Sequence, residues 1–316
     1  MNEPSRAAIV IVSWNVRELL RRCIVSVHAS LASTSVSYQI VVVDNASHDG
    51  TPAMLRAECP EVHLIESGGN LGFAGGNNLG MRWALESAMP PDFLFVLNPD
   101  TEVVGDAIPH LVSWLQQHLD VAVVGPLLRY PDGSIQSSRR RVPTAGVYFF
   151  ESTPLELRWP QNRWARSYRL ENVDPANEQD VDWLVGAALL VRRDAIEQAG
   201  LFDASYSLYS EELEWQRRLR RVGRIVYLPS AEVIHHEGQS SLQLPTRRLV
   251  LFHTNRLRYI RRYHGLFLAL AVRIFIIVAY SIEACVEAAK WLVGHRRDLR
   301  AGRLQAYLGL LGGLVR

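Results

Sequence analysis

The chain has 316 residues, of which 48% are hydrophobic and 9% aromatic; this fits a folded protein with a substantial core and excludes a disordered chain. The net charge of +2 hides an asymmetry, because residues 242–316 carry 13 basic and 3 acidic side chains while the remainder carries 21 and 29. An acidic body with a basic tail predicts a soluble domain with an anchor for an anionic surface.

The first half of the sequence predicts strands that alternate with helices. Asn15 is placed to cap the first helix, and Thr51-Pro52 offers a cap and a first-turn proline to the second. The first apolar run lacks a cleavage site, so we expect a strand there and not a signal peptide. Strands separated by helices predict a doubly wound, mostly parallel α/β sheet with flanking helices. The predicted strands are residues 7–12, 39–43, 62–65, 93–97 and 121–124.

Residues 130–180 lose this regularity, because five prolines and a run of three arginines interrupt them. A long irregular stretch in a compact domain predicts a functional loop or a mobile lid. Regular structure is expected again beyond it, as a strand at 185–191, helices from 194 and over 210–222, and short strands at 224–228 and 232–235.

Two of the predicted strands run directly into a carboxylate. Pro99 blocks further pairing after the fourth strand and holds Asp100 at the carboxyl edge of the sheet, where open α/β sheets bind ligands. A hard oxygen ligand there suits a divalent cation that accompanies substrate phosphates. Asp44 ends the second strand, which we expect to be a neighbour of the fourth, and with Asn45 it can bind a nucleobase or ribose. Ordinary Pro-Asp and Asx turns are the alternative.

A glycine-rich segment, residues 68–80, lies between the third and fourth predicted strands. It does not match the dinucleotide-binding pattern G-x-G-x-x-G and does not follow the first strand. It can still bring backbone amides and a helix N-terminus close to a phosphate, with side-chain donors from Asn70, Asn77 and Asn78. Loop packing is the alternative.

Two later segments offer a base and a second metal ligand. Glu211 and Glu212 open a predicted helix, and a base for a hydroxyl acceptor must reach from there into a cleft. An adjacent glutamate can raise the pKa of that base, although solvated acidic residues at a helix start are the alternative. His235 and His236 lie on an extended segment, so one faces inward and the other outward. The inward histidine is a candidate metal ligand.

Together these segments resemble the family 2 inverting glycosyltransferases with the GT-A fold, especially the bacterial rhamnosyltransferase-like members. The similarity covers residues 7–263 and is specific, because many independent motifs match in order. The matching motifs are VSWN, VVVDNASHDGT, NLGFAGGNNLG, LNPDTEV, GAALLVRRDAIEQAGLFD, YSEELEWQRRLRRVG and IHHEGQSS.

The resemblance implies a role for each matching position. Asn98-Pro99-Asp100 corresponds to the Asp-x-Asp metal motif with its first acid replaced, which leaves Asp100 as the metal ligand. His235 matches the metal-binding histidine, with His236 as the alternate, and Trp183 and Gly186 fall where the acceptor site begins. The implied nucleotide-binding set, in which the asparagines of the glycine-rich segment line the diphosphate, is Ser13, Trp14, Asn15, Asp44, Asn45, Asn70, Asn77, Asn78 and Asn98.

The resemblance also implies the reaction. The Glu-Asp base motif of the family appears here as Glu211-Glu212, so Glu212 takes the position of the base with a side chain one methylene longer. The implied enzyme is an inverting hexosyltransferase that uses Mg²⁺ or Mn²⁺. Its donor is expected to be dTDP-rhamnose or a UDP-sugar, and its acceptor a lipid-linked or polysaccharide hydroxyl in cell-envelope polysaccharide biosynthesis. The base takes the acceptor proton in a single displacement while the metal neutralises the leaving diphosphate.

The tail predicts contact with a membrane. Residues 265–282 are almost wholly apolar but include Arg273, which would cost about 2.5–3.5 kcal/mol at the centre of a spanning helix. We therefore expect a helix that lies in the interface of the cytoplasmic membrane, where basic residues meet anionic lipid. Packing on protein is the alternative. The side of this helix that holds Arg273 also holds Tyr280, Glu283, Glu287 and Lys290.

The sequence thus predicts a catalytic domain at residues 1–241 and a basic helical tail at 242–316. The domain is expected to have a nucleotide-binding half at about 1–128 and an acceptor half at about 129–241. The three scattered cysteines match no disulfide or metal framework, which favours a cytoplasmic location at the inner face of the membrane. A nucleotide-sugar-binding protein without turnover is the main alternative. A nucleic-acid binder is less well supported, because the basic residues accompany aliphatic runs and not stacking aromatics.

Overall fold

The computed structural model describes residues 5–32, 34, 36–206, 208–238 and 245–315. The chain divides into two compact units: the first comprises residues 1–140, 173–207 and 211–240, and the second comprises residues 141–172, 208–210 and 241–316. The predicted domain boundary at 241/242 and the last residues of the IHHEGQSS motif lie outside the described residues. Residues 141–172, which were predicted to be part of the acceptor half, belong to the second unit. The acceptor role of the predicted half stays a prediction.

The strands that the structure describes all belong to the first unit, whereas helices occur in both units. The strands are β1 (Arg6–Ser13), β2 (Ser37–Asp44), β3 (His63–Glu66), β4 (Phe93–Leu97), β5 (Thr101–Val103), β6 (Val121–Arg129), β7 (Arg139–Arg140), β8 (Gln179–Val181), β9 (Trp183–Leu184), β10 (Ala188–Arg192) and β11 (Arg224–His235). The helices are α1 (Arg17–Leu31), α2 (Thr51–Glu58), α3 (Gly72–Leu85), α4 (Ala107–Gln117), α5 (Ala145–Phe150), α6 (Pro154–Arg158), α7 (Arg163–Tyr168), α8 (Arg193–Ala199), α9 (Glu211–Leu219), α10 (Pro245–His264), α11 (Leu266–Leu292) and α12 (Arg297–Val315).

The large sheet of the first unit has the strand order β3-β2-β1-β4-β10-β6-β11-β5, and β8 also pairs with β11. Its first four strands are parallel, as are β6 and β11, whereas β10 enters antiparallel between β4 and β6. The side chains of β4 are buried on both faces, which explains why this strand reads as a continuous apolar run. The predicted α/β fold class is confirmed. A separate small sheet pairs β7 with β9.

Three local predictions for the first unit were wrong. The strand β1 lies between β2 and β4, so the strands that lead to Asp44 and Asp100 are not neighbours. Asn15 does not cap α1, because it adopts φ 54° and its Oδ1 atom accepts the backbone N–H of His48 at 2.8 Å. In addition, Thr51 is the first residue of α2, and Gly50 precedes it in the left-handed conformation.

Close packing of α3 explains part of the glycine-rich segment. The segment is helical from Gly72 onward. A Cβ atom on Gly76 would lie 2.7 Å from the Cγ1 atom of Val12, and one on Gly80 would lie 2.6 Å from that of Val10. Glycine at these positions therefore lets α3 approach β1 closely.

The second unit combines the irregular stretch with the C-terminal helices. Residues 141–172 form the short helices α5, α6 and α7, which pack around aromatic contacts such as Trp164 stacked on Phe150 at 4.5 Å. Helix α5 also packs on α11, where Phe149 meets Phe275 edge to face at 5.2 Å. Residues 141–172 of the stretch predicted as a functional loop or a mobile lid are therefore an organised part of this unit.

Helix α11 has a polar side and an apolar side. Arg273 donates to the carbonyl oxygen of Leu314 in α12 at 2.7 Å, and Arg300 of α12 donates to the buried carboxylate of Glu287 at 2.7 Å. Arg273 and Glu287 therefore contact protein neighbours. The Arg273 charge is thus no argument against contact between the apolar side of this helix and a membrane. Within the part of the chain that the structure describes, α11 is the one helix long and apolar enough to cross a membrane.

Candidate active site

The carboxyl ends of β1 and β2 bring two buried polar side chains together. Ser13 pairs with Asp44 across these strands, and Asn45 donates its backbone N–H to the Ser13 carbonyl oxygen at 2.8 Å. The Oδ2 atom of Asp44 accepts the backbone N–H of Ser47 at 3.0 Å. The Oγ atom of Ser13 and the Oδ1 atom of Asp44 are buried and find no hydrogen-bond partner among the described residues. Since buried polar atoms are normally satisfied, these two suit a ligand that supplies the missing hydrogen bonds.

The loop after β1 holds Trp14 and Asn15 at the same edge. Asn15 donates its backbone N–H to the Oγ atom of Ser47 at 3.0 Å, and its side chain binds the backbone of His48. These bonds connect the loop after β1 to the loop after β2. Trp14 is half-buried beside them. The structure therefore brings together Trp14, Asn15 and the strand ends that hold Ser13 and Asp44, all of which belong to the nucleotide-binding set implied by the resemblance.

The three asparagines of the glycine-rich segment have different surroundings. Asn70 is exposed and accepts the backbone N–H of Gly72 at 2.9 Å. Asn77 is buried, and its Oδ1 atom has no partner within the described chain. Asn78 is also buried, but both ends of its amide bind the backbone of Phe202, at 2.8 and 3.0 Å. We therefore withdraw Asn78 from the diphosphate-binding set, because its amide serves to hold Phe202 against α3.

Asp100 and His235 meet beside the ends of β4 and β11. Asp100 is 5% exposed and His235 is 3% exposed. The Nε2 atom of His235 lies 3.4 Å from the Oδ1 atom of Asp100 and 3.4 Å from the Nδ2 atom of Asn98. The predicted pair of metal-ligand candidates is thus in one place, with Asn98 beside it.

Gln136 sets the orientation of the His235 ring. Its Oε1 atom lies 2.9 Å from the Nδ1 atom of His235, and its Nε2 atom donates to the Oε2 atom of Glu237 at 3.0 Å. The hydroxyl of Tyr130 donates to the same Glu237 oxygen at 2.9 Å. Because a carboxylate only accepts, this network fixes the Gln136 amide with its oxygen toward the ring. His235 then carries its proton on Nδ1 and presents the Nε2 lone pair to Asp100.

This arrangement fits a divalent cation. Two ligands at right angles around such a cation, each about 2.1 Å from it, lie roughly 3 Å apart, which is close to the separation of Asp100 and His235. The Oδ1 atom of Asn98 is buried, with no hydrogen-bond partner in the described part of the chain. The described residues hold no group of three or more His, Cys, Asp or Glu side chains that could bind a metal. Substrate oxygens would therefore have to complete the coordination.

The outward histidine, His236, is engaged elsewhere. Its Nε2 atom lies 2.7 Å from the Oε1 atom of Glu102, and its backbone N–H donates to the Asp100 carbonyl oxygen at 2.9 Å. The expectation that one histidine faces inward and the other outward is confirmed. Of the two, His235 has the position of a metal ligand.

Helix α9 begins with the acidic pair Glu211-Glu212. The Oε2 atom of Glu212 is buried and finds no hydrogen-bond partner among the residues that the structure describes. Desolvation by burial raises the pKa of Glu212 above its ordinary value of 4.5, against smaller opposing effects of its own backbone N–H and of the Arg140 charge. A carboxylate with a raised pKa is suited to accept a proton near neutral pH. Glu214, in contrast, is buried in an ion pair with Arg218 at 2.9 Å.

The segment Gly186-Ala187 lies between Glu212 and Asn98, which is beside the metal-ligand candidates. A Cβ atom on Gly186 would lie 3.3 Å from the Cβ atom of Glu212, so the bare backbone of this glycine leaves space beside the acidic side chain. The next residue, Ala187, accepts the backbone N–H of Asn98 at 2.9 Å. Gly186-Ala187 thus contacts Glu212 on one side and Asn98 on the other. This contact brings the base candidate and the metal-side residues around one site in the first unit.

Gln216, one turn after Glu212, fixes α9 to β9. It accepts the backbone N–H of Leu184 at 2.8 Å and donates to the carbonyl oxygen of the same residue at 2.7 Å. The neighbouring Trp183 is buried, and the guanidinium carbon of Arg140 lies 6.0 Å from the centre of its ring. Trp183 and Gly186, the predicted start of an acceptor site, therefore lie in the segment that contacts the base helix.

Sequence reasoning missed three residues that position this site. Gln136 and Arg140 lie in the stretch without periodicity, and Gln216 occupies an ordinary helical position. Only the run of three arginines gave a signal, and it did not distinguish Arg140 from its neighbours.

Comparisons with known proteins place the chain in one family. The model of the family described as Glycosyl transferase family 2 matches residues 8–198. An N-acetylglucosaminyl-diphospho-decaprenol L-rhamnosyltransferase of Mycobacterium tuberculosis is 34% identical over 267 residues, which cover 81% of this chain and 84% of that protein. The rhamnosyltransferase WbbL of Escherichia coli is 24% identical over 234 residues, which cover 72% of this chain and 82% of that protein.

Solved structures support the same fold. The mannosyltransferase PcManGT of Pyrobaculum calidifontis, in complex with GDP-Man and Mn²⁺, superposes with a TM-score of 0.54 at 14% sequence identity. The match covers 99% of this chain and 86% of that one.

Proposed function

Because the chain belongs to glycosyl transferase family 2, we propose that it is an inverting, metal-dependent glycosyltransferase. Its proposed donor is dTDP-rhamnose or a UDP-sugar, and its proposed acceptor is a hydroxyl of a lipid-linked or polysaccharide molecule. The rhamnosyltransferase names of the two relatives support the rhamnosyl donor. The name of the mycobacterial relative supports the lipid-linked acceptor.

The observation that carries the proposal is the contact of Gly186-Ala187 with Glu212 on one side and Asn98 on the other. An acceptor hydroxyl beside Gly186 would give its proton to Glu212 as its oxygen attacks the anomeric carbon of the donor. Attack opposite the leaving group inverts the anomeric configuration. The raised pKa of Glu212 suits this proton transfer, because it brings the proton affinity of the carboxylate closer to that of the reacting group.

The remaining residues hold the donor. The unsatisfied Ser13 Oγ and Asp44 Oδ1 atoms would bind the nucleoside, and Asn77 Oδ1 lies in the segment expected to line the diphosphate. Asp100 and His235, with Asn98 beside them, would hold Mg²⁺ or Mn²⁺. When bound, such a cation supplies positive charge that stabilises the leaving diphosphate.

A screen of nucleotide sugars tests the donor and the metal together. Thermal unfolding is measured with a panel of nucleotide sugars, with and without Mn²⁺. We expect stabilisation by one nucleotide class that depends on Mn²⁺, because a ligand that binds only the native state raises its stability. Turnover is then measured with the stabilising donor. Binding without any Glu212-dependent transfer or hydrolysis would favour the alternative, a nucleotide-sugar-binding protein.

Membrane association is the second part of the proposal, and the apolar side of α11 supports it. Four residues, each about one turn or two turns from the next, are largely exposed: Phe267 at 90%, Ile274 at 62%, Val278 at 53% and Ile282 at 52%. Basic residues lie beyond both ends of this stripe, in the last turn of α10 and at residues 295–297. An apolar stripe between clusters of positive charge suits an anionic lipid surface at the inner face of the membrane.

A single substitution tests this part better than truncation, because α11 packs on α5 and α12 and its removal would open the core of the second unit. Ile274→Glu should reduce co-sedimentation with vesicles that contain phosphatidylglycerol. Leu119→Glu, at an apolar residue of the first unit that is 81% exposed, is the control. Equal sedimentation of both variants and the wild type would contradict a lipid-binding role for the stripe.

A further inference from the structure

The second unit contains a cavity for which the residues of the candidate active site give no role. Its volume is about 600 Å³, within the usual range for small-molecule sites. It is formed entirely by residues 141–172. The residues that line it include three arginines and two large aromatic residues: Arg141, Arg163, Arg166, Trp164 and Tyr168.

The charge of the cavity is one-sided. None of the described residues that line it is acidic. The nearby Glu156 is bound by Arg169 at 2.6 Å, and Glu151 is approached by Arg256 at 3.5 Å, so both carboxylates are neutralised outside the lining. Arg166 has an ion pair with Glu171 at 3.5 Å, but both side chains are more than 40% exposed. Such a surface pair is weak, so a phosphate can compete for Arg166.

The walls of the cavity are built by specific contacts. A side chain at Gly146 would overlap the indole of Trp164, so the glycine makes room for that ring. The guanidinium carbon of Arg163 lies 4.7 Å from the centre of the same indole. The backbone N–H of Arg141 donates to the carbonyl oxygen of Tyr168 at 2.9 Å and holds two walls together. Arginine planes beside aromatic faces are a common means of binding phosphates attached to an organic group.

The same unit carries the apolar stripe of α11, and α5 packs directly on that helix. A molecule with a long hydrocarbon chain and a phosphorylated head would match both features. We propose that the cavity of residues 141–172 binds the phosphate groups of a polyprenyl diphosphate, the lipid carrier of the acceptor sugar. This assignment rests on the proposed function, because it specifies the class of acceptor for the same reaction.

Titration with farnesyl diphosphate tests the proposal without turnover. The buffer contains EDTA, so that the metal-ligand candidates of the first unit do not contribute to diphosphate binding. We expect the double variant Arg163→Gln/Arg166→Gln to bind at least about tenfold more weakly than the wild type, because charge-assisted hydrogen bonds are lost. The double variant Arg82→Gln/Arg221→Gln removes the same charge from exposed positions of the first unit and should bind like the wild type. Ser167→Glu, which places a negative charge in the lining, should weaken binding without removing an arginine.

Three further ligands separate the sources of phosphate. Farnesol should not distinguish the variants, and inorganic diphosphate should bind with the same order among variants but more weakly. Vesicles of phosphatidylglycerol should bind the arginine variant and the wild type alike. Equal affinity of all variants for farnesyl diphosphate, or a parallel loss of vesicle binding, would overturn the proposal. Failure of the glycosyltransferase assignment would appear separately, as absent Mn²⁺-dependent stabilisation by nucleotide sugars in every variant.

Discussion

Replacement of Gln136 by leucine tests the link between hydrogen bonding and metal affinity. The side chain is 5% exposed, and its oxygen is the acceptor for the Nδ1 proton of His235 at 2.9 Å. Leucine has similar volume but cannot accept this proton. The ring would then be free to exchange tautomers or to rotate, and the Nε2 lone pair would no longer point toward Asp100 for most of the time.

The expected loss can be estimated from the position of the residue. Removal of a partner that orients a metal-binding histidine typically weakens metal binding by about 10–100-fold, or about 1.4–2.7 kcal/mol. The buried Nδ1–H of His235 would in addition lack its acceptor, at a cost of about 1–3 kcal/mol in folding stability. Both effects are expected in Gln136→Leu, whereas nucleoside contacts at Ser13 and Asp44 should be unchanged.

The assay is a Mn²⁺ titration in the presence of the nucleoside diphosphate that stabilises the wild type. Nitrogen chemical shifts of the His235 ring, measured by NMR without metal, report its tautomer independently of activity. In the exchange variant Gln136→Glu/Glu237→Gln, the carboxylate introduced at position 136 accepts the Nδ1–H of His235, and the amide introduced at position 237 donates to that carboxylate. This variant should therefore recover most of the Mn²⁺ affinity. Wild-type Mn²⁺ affinity and an unchanged tautomer in Gln136→Leu would refute the reasoning.

Three further predictions follow from the same geometry. Asp100→Ala should abolish Mn²⁺-dependent donor binding with little change in the melting temperature, and unchanged nucleotide affinity in Mn²⁺ would remove Asp100 from the metal site. Arg140→Leu removes a positive charge that lowers the pKa of Glu212, so this pKa should rise. The fall of the transfer rate on the acid side of the pH profile should then begin at higher pH than in the wild type. An unchanged pH profile would show that this charge does not act on the base. Burial lowers the pKa of His253 to about 3, with a smaller effect of the Arg256 charge. Between about pH 6.5 and 3 the unfolded chain therefore binds a proton at this histidine more readily than the folded chain. The stability of the folded state falls as pH falls through this range. Between pH 7.5 and 5 the loss is about 2 kcal/mol, which chemical denaturation can measure, and His253→Gln should remove that part of the pH dependence.

Much of this site was predictable because its residues lie at the ends of regular elements. Asp44 ends one apolar strand, Asp100 follows a second and His235 ends a third, so the sequence pattern alone places them at the edge of a sheet. The order of the strands was not predictable in this way. Insertion of β1 between β2 and β4, and of antiparallel β10 beside β4, depends on pairing between distant segments.

The residues that sequence reasoning misjudged make long-range hydrogen bonds. Asn78 was assigned to a diphosphate, yet its partner Phe202 is 124 residues away in the chain. Gln136 was not singled out, because its role depends on His235, 99 residues away, and no local pattern marks it. Residues 141–172 looked irregular for a related reason, since their short helices are stabilised by contacts with α10 and α11.

The most direct test of the central claim is the transfer rate of Glu212→Gln, compared with Glu211→Gln, across the pH range. The glutamine variant at 212 cannot accept the acceptor proton, so it should retain Mn²⁺-dependent donor binding and lose at least about a hundredfold in kcat. The wild type should lose activity as pH falls toward a pKa above that of an ordinary glutamate, whereas the residual rate of Glu212→Gln should lack this limb. Full activity of Glu212→Gln, with a pH profile like that of the wild type, would contradict the assignment of Glu212 as the base.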